Sequence, residues 1–469
     1  MRYVSTRGEA EGLDFAEVLL RGLAGDSGLY LPETWPALAP HAIADLAGRP
    51  YAEAAERIIA PYVGEAIPED ALRGMIREAY AGFRHPAVAP LVQLGAGDWL
   101  LELFHGQTLA FKDVAMQLLA RLMDHVLAER GARATIIGAT SGDTGGAAIE
   151  AFRSSERADV FILYPHGRVS DVQRRQMTTV GGGNVHALAI EGSFDDCQRI
   201  VKALFGDPAL RKRTQLSGVN SINWARIVAQ IVYYFTSAAA LGAPYRPTRF
   251  VVPTGNFGDI FAGYAAMRMG LPVERLVIAT NVNDILARTL ETGRYELGEV
   301  VPTASPSMDI QVSSNFERLL FEATGRDGEV VRGWMARLAQ SGAFDIDADS
   351  LAAIREGFSA IRVDESECAR TMAELWAEAE YPCDPHTAIG VAAARRLEPV
   401  GTIPTITLAT AHPAKFPDAV AAATGISPQL PAWLADLHQR RERFTVLPPD
   451  TDAVSGYIHD AAGLDRVGA

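Results

Sequence analysis

Lysine is nearly missing from this chain of 469 residues. Of its 43 basic residues only four are lysine, at Lys112, Lys202, Lys212 and Lys415, and arginine supplies the rest. Lysine is therefore not the general surface cation here. What remains for it is chemistry closed to a guanidinium: an amine can lose its proton and attack a carbonyl. Cysteine is equally sparse. Cys197, Cys368 and Cys383 form no CxxC pair, so no disulfide framework is implied and a reducing cytoplasm is the expected location. The ten histidines show no zinc-type spacing, and no metal is expected. A long apolar run is lacking too. The stretch 227–243 is broken by Gln230, Thr236 and Ser237, and reads as a buried core helix, not a membrane span. Residues 1–12 carry no apolar signal core. Finally there is no basic excess. A formal net charge of −14 argues against a nucleic-acid surface and leaves room for an anionic small substrate only in a local basic pocket.

What is present is the composition of a soluble globular protein, 48% hydrophobic and 21% charged, long enough for two or three domains. Residues 1–93 read as helices with short connections, apolar positions recurring at helical spacing in Phe15, Val18, Leu19 and in Ile58, Ile59, Tyr62. Residues 26–32 read as a turn and a short extended piece. From about residue 97 the pattern changes to short apolar runs alternating with helical stretches. Strands are expected at 99–104, 135–139, 160–164, 185–190, 250–252, 276–279 and 403–408. Helices are expected at 112–130, from 145, between 170 and 179, at 193–204, 225–241 and 259–269. Such alternation implies crossover units and a parallel sheet buried on both faces, with the ligand beyond the carboxyl ends of the strands.

Four constellations carry chemistry. Lys112 follows an apolar run within FHGQTLAFKD (104–113), at the end of an expected strand, where burial would destabilise its ammonium. It is either a buried lysine paired with Asp113 or another acid, or a Schiff-base lysine. Lys202 and Lys212 sit in a polar, helix-like stretch and read as surface residues. The second constellation, 139–146, runs Ala-Thr-Ser-Gly-Asp-Thr-Gly-Gly between a strand and a helix. Its amides and hydroxyls suit a carboxylate or phosphate at a helix N-terminus, although an ordinary helix cap explains the same residues. The third, VPTGNFGD (252–259), is again strand, glycine loop and helix. It lacks the Gly-Lys-Ser/Thr of a P-loop and the GxGxxG of a dinucleotide fold, so a cofactor with one phosphate fits better. The Asp259 carboxylate would repel phosphate, so its backbone amide is expected to face the ligand. The fourth, 408–416, places the Thr410 hydroxyl just past a strand, where it could bond a cofactor ring, and holds Lys415, which could meet an anionic group. His412 and the Asp384-Pro385-His386-Thr387 pairing read as structural. A buried lysine beside a single-phosphate loop suggests pyridoxal phosphate (PLP).

Together these segments resemble the threonine synthase family, PLP enzymes of the tryptophan-synthase-β fold type. The resemblance spans nearly the whole chain: YVSTRG (3–8), GLYLP (28–32), FHGQTLAFKD (104–113), GATSGDTG (138–145), NSINWARI (220–227), VPTGNFGDI (252–260), SPSMDIQVSSNFERL (305–319), DPHTA (384–388) and TAHPAKF (410–416). It looks like the longer bacterial and fungal branch. Gln107 departs from it, standing where many relatives carry proline, which alters the turn before Lys112. The resemblance implies an α/β fold of two parallel-sheet lobes with an extra N-terminal helical domain. The implied limits are 1–93, 94–240 and 241–469, with segments exchanged between the lobes. It implies conversion of O-phospho-L-homoserine and water to L-threonine and phosphate by a monomer or homodimer, with no nucleic acid or membrane partner. By the same resemblance Lys112 holds PLP and shuttles protons, Gly255, Asn256, Phe257, Gly258 and Asp259 line its phosphate site, and Thr410 bonds its ring nitrogen. Ser141, Gly142, Asp143 and Thr144 would receive the substrate carboxylate. Lys415 and Arg318 are the candidate cations for the substrate phosphate, with Asn220, Asn223 and Asn315 as neutral donors. A lyase of the same fold that releases 2-oxobutyrate, and a non-catalytic ligand-binding relative, are the alternatives.

Overall fold

The apolar runs between Asp98 and Ala409 become the strands of two separate parallel sheets in the computed structural model, which describes residues 1–9, 12–207, 210 and 214–462. The chain divides into two units. One takes residues 1–18, 23–115 and 221–428; the other takes 19–22, 116–220 and the chain from 429 onward.

The first unit holds a six-stranded sheet in the order Phe358–Arg362, Val273–Thr280, Thr248–Pro253, Thr405–Ala409, Asp98–Glu102, Leu91–Gln93. All neighbours pair in parallel except the last two, which are antiparallel. Thr248–Pro253 is buried along its whole length, as a strand covered on both faces must be. The helix Trp224–Ala240 is buried almost throughout, which explains its largely apolar character. The N-terminal segment packs here through Tyr3, whose ring lies 6.2 Å from Trp224 and 6.3 Å from Phe15. The helix Pro385–Arg395 starts where its sequence dictates. Asp384 caps it by accepting from the amides of His386 and Thr387, and Pro385 takes the first helical position, where no amide hydrogen is needed.

The second unit holds a five-stranded, all-parallel sheet in the order Thr445–Leu447, Val185–Ile190, Ala158–Pro165, Ala134–Ala139, Leu216–Ser217. Its C-terminal strand is tied down by Glu442, which accepts from Arg174 Nε at 2.9 Å and Thr178 Oγ1 at 2.7 Å.

The expected strands and helices all form, with ends shifted by at most three residues. The antiparallel edge strand Leu91–Gln93 and the edge strand Phe358–Arg362 were outside the expectation. Both are short and only partly buried, so they carry little alternation or apolar signal. Among the described residues, no helix is long and apolar enough to cross a membrane.

Candidate active site

Three neighbouring parallel strands of the first unit, Thr248–Pro253, Thr405–Ala409 and Asp98–Glu102, end on one edge of the sheet. The three informative loops of that unit leave from those ends. After Glu102 the chain runs through a tight loop to Lys112, first residue of the helix Lys112–Glu129. Asp113 builds the loop: its carboxylate accepts from Thr108 N and Thr108 Oγ1, each at 2.7 Å. Burial pushes Asp113 up to about 6 against those hydrogen bonds. Gly106 is required because any Cβ there would collide with Asp113, and Leu109 completes the turn at φ 62°. The loop is stitched to the next one by Phe111 N to Thr410 O at 2.8 Å and His412 N to Leu109 O at 3.0 Å. Lys112 is only 8% exposed. Its Nζ lies 3.5 Å from Ser307 Oγ and 4.7 Å from the centroid of the Phe111 ring.

The glycine loop after Thr248–Pro253 is gripped from its carbonyl side. Ser313 Oγ donates to Gly255 O at 2.6 Å, and Asn315 donates to Asn256 O from both its backbone N (3.1 Å) and its Nδ2 (2.8 Å). Phe257, at φ 63°, then turns the chain into the helix Gly258–Arg268. With the carbonyls held, the amides of residues 255–259 are left without a hydrogen-bond acceptor among the described residues. That is an open set of donors at the positive end of a helix. Asp259 does not compete with an anion there. Its side chain turns away and accepts from Tyr233 and from Tyr234 Oη (3.1 Å), and burial pushes it up to about 6. Gly255 has a different reason than ligand approach. A Cβ on it would sit 2.6 Å from Ser307 O, so the residue permits a close crossing of two backbone segments.

Thr410 is 5% exposed, and its hydroxyl has no hydrogen-bond partner among the described residues. Lys415 is fully buried and donates to Thr108 O at 2.6 Å. His412 accepts from Ala414 N at 3.1 Å and packs edge-on against Phe104, and burial lowers it to about 4. His386 reaches further than a cap: its Nδ1 lies 2.7 Å from Asp384 Oδ2, while its Nε2 accepts from Ser307 N at 3.3 Å. Arg318 is fully buried, with Nε donating to Tyr30 O (2.9 Å), Nη2 to Ile222 O (2.7 Å) and Nη1 to Asn315 Oδ1. Burial lowers it to about 9. Asn223 caps the helix Trp224–Ala240 through Ala225 N at 3.1 Å.

In the second unit Thr140, not Ser141, organises the loop: its Oγ1 accepts from Gly142 N (3.0 Å) and Gly145 N (2.9 Å). Gly142 has φ 140°, a conformation closed to other residues, and any Cβ there would strike Gln173. Gln173 in turn donates to Asp143 Oδ1 at 2.9 Å. The hydroxyls of Ser141 and Thr144, at the start of the helix Asp143–Phe152, have no hydrogen-bond partner among the described residues. Asn220 and Lys202 are exposed, and Lys212 lies outside the described residues. Ser307, Ser313 and the tyrosine pair were not anticipated. Ser307 and Ser313 lie in a polar loop that offers no periodicity to read, and the tyrosines read simply as core.

The first unit thus brings together a nearly buried lysine amine, open amides at a helix start and an unpartnered threonine hydroxyl. These are the complements of an aldehyde, a phosphate and a neutral ring nitrogen, and PLP carries all three. Models of three families match the chain: "Threonine synthase N terminus" at residues 2–80, "Pyridoxal-phosphate dependent enzyme" at 84–342 and "Threonine synthase, C-terminal" at 387–458. The chain is 53% identical to the threonine synthase of Pseudomonas aeruginosa, over 98% of each chain. Its fold is similar to a crystal structure of PLP-bound threonine synthase from Brucella melitensis (60% identity, TM-score 0.96, covering 98% of this chain and 99% of that one). It is also similar to the Escherichia coli threonine synthase structure (33% identity, TM-score 0.84, covering 98% of this chain and all of that one).

Proposed function

The chain belongs to the threonine synthase family of PLP-dependent enzymes, and on that premise we propose that it converts O-phospho-L-homoserine and water to L-threonine and phosphate. The observation that carries this reading is the lysine, helix-start amides and free hydroxyl at one sheet edge. Lys112 would hold the cofactor aldehyde, the amides of Gly255, Asn256, Phe257, Gly258 and Asp259 its phosphate, and Thr410 its ring nitrogen. When bound, PLP supplies an electron sink for a carbanion at the substrate's α-carbon.

The remaining work falls to protein groups. Lys112 is the base that takes and returns protons at the substrate carbons, since its Nζ is the one amine in this loop and is shielded from water. Thr410 offers a hydroxyl where an acid would fix a full positive charge on the ring. The hydroxyls of Ser141 and Thr144, with the amides of Gly142 and Asp143, would receive the α-carboxylate at a helix start. Of the groups assigned to the substrate phosphate, Asn220 is exposed and available for contact. Asn223, Asn315, Arg318 and Lys415 already spend hydrogen bonds on the protein, and we assign them to holding the site's walls. We read residues 1–93 as the N-terminal domain of the family, and 94–240 and 241–469 as its two lobes, with segments exchanged between them. The enzyme would be cytoplasmic and monomeric or homodimeric, with neither nucleic acid nor membrane as partner.

The test is to incubate the PLP-loaded protein with O-phospho-L-homoserine and quantify phosphate, threonine and 2-oxobutyrate together, with Lys112→Ala as control. Phosphate matched by threonine, and lost in the variant, is expected. Phosphate matched by 2-oxobutyrate would make the chain a lyase, and no phosphate at all would end the substrate assignment.

A further inference from the structure

Ser307 is fixed on three sides by groups from three different segments. Its backbone amide donates to His386 Nε2 at 3.3 Å. Its carbonyl lies against Gly255, at a spot where a Cβ would approach to 2.6 Å. Its hydroxyl oxygen is 3.5 Å from Lys112 Nζ, a long contact of the kind that tightens when a site fills.

The histidine that holds Ser307 is itself held. Asp384 is fully buried and accepts from His386 N at 3.0 Å, from Thr387 N at 3.0 Å and from the Thr387 hydroxyl. Its Oδ2 lies 2.7 Å from His386 Nδ1. A carboxylate on Nδ1 sets that nitrogen as the donor, which leaves Nε2 as the acceptor that Ser307 N requires. The imidazole is buried and packs against Phe416 with ring centroids 5.0 Å apart. Pro306 and Met308 form one short helical turn with Ser307 between them, and Met308 is in the core. Asp384 and His386, which read as a structural pairing in the sequence, therefore extend their order to the reactive amine.

We propose that Ser307 is the positioning residue for Lys112, its hydroxyl accepting a hydrogen bond from Nζ and setting the direction in which the amine presents its lone pair, with the Asp384–His386 pair locking Ser307 in place. The proposal rests on the assignment of Lys112 as the PLP-bearing residue. It adds no group to the reaction, and the only atoms it moves are protons already on Nζ.

The test reads both the covalent attachment of PLP to Lys112, followed by absorbance after mixing PLP with cofactor-free protein, and steady-state turnover of O-phospho-L-homoserine. Ser307→Ala should slow attachment and lower kcat by up to about tenfold each, the effect of losing one hydrogen bond, and leave KM within about twofold. Thermal unfolding of the cofactor-free protein should stay at the wild-type value. Ser307→Thr, which keeps the hydroxyl, should restore attachment. His386→Leu should reproduce the Ser307→Ala defects, and His386→Gln, which keeps an acceptor, should be milder. Wild-type attachment rates in Ser307→Ala would overturn the proposal, as would a Ser307→Thr protein as impaired as Ser307→Ala. If the wild-type protein attaches PLP but releases no phosphate, the substrate assignment fails while the attachment rates still judge Ser307. If it attaches no PLP, the cofactor assignment and the positioning role fall together.

Discussion

Gly255→Ala is the sharpest probe of how this site is assembled. The added Cβ would lie 2.6 Å from Ser307 O and 3.3 Å from Met308 Cα, where ordinary contact begins near 3.4 Å. Both neighbours are backbone atoms, so no flexible side chain can yield. The two segments must part by about 0.8 Å, and each is held: Gly255 through its carbonyl to Ser313, Ser307 through its amide to His386. Overpacking of this kind costs roughly 1–3 kcal/mol in stability. The larger effect should be catalytic, because an error approaching 1 Å in positioning costs up to about a hundredfold in rate. Gly74→Ala is the internal control. A Cβ there meets nothing within 4 Å, and alanine suits the interior of the helix Glu69–Ala81 better than glycine does. We expect Gly255→Ala to lose at least about tenfold in kcat and to bind PLP more weakly, and Gly74→Ala to stay within about threefold of wild type. The assays are phosphate release and PLP titration by absorbance. A Gly255→Ala protein with full activity and full PLP occupancy would refute the claim that this crossing is rigid.

Two further outcomes follow from buried charges. Asp113 and Asp259 are each pushed up to about 6 by burial, from 3.8. An acid whose value rises on folding binds extra protons in the folded state, so its contribution to stability is full below about pH 4 and is lost as pH rises through about 6. Each acid should contribute a decline of up to about 3 kcal/mol across that window. Asp259→Asn should roughly halve the fall in urea midpoint of the cofactor-free protein between pH 4 and pH 7, and an unchanged slope would contradict the assignment. Arg318→Met should destabilise by about 3–5 kcal/mol, because the carbonyls of Tyr30 and Ile222 and the Asn315 side chain lose their donor in the interior. Arg318→Lys should recover little of this, since one ammonium cannot span three fixed acceptors. Thermal unfolding decides. A fully stable Arg318→Met protein with only a raised KM would instead mark Arg318 as a contact for the substrate phosphate.

The residues that the sequence displayed, and those it hid, differ in a physical way. Strands buried on both faces advertise themselves as short apolar runs, so the strands could be read, and with them the loops at their ends, while their division into two sheets came only from the family resemblance. Lys112 stood out for the opposite reason, as a rare residue type in an apolar setting. Arg318 and Lys415 were read as cations waiting for an anion, because sequence shows charge but not what already satisfies it. In the fold their donors are aimed at the carbonyls of Tyr30, Ile222 and Thr108. Gly255 looked like a phosphate-loop glycine, yet the atom it makes room for belongs to Ser307, 52 positions along the chain. Asp384 and His386 were legible as a structural pairing because they are two positions apart, and the cap that Asp384 forms is local too, within three residues. Their link to Ser307 spans 79 residues, and no local pattern can carry it. What the sequence states plainly is therefore the reactive group, and what it conceals is the long-range framework that aims that group. The same division explains why the open amides of residues 255–259 were legible only in part. Glycines announce a bend, but the amides face outward because Ser313 and Asn315 hold the opposite, carbonyl side.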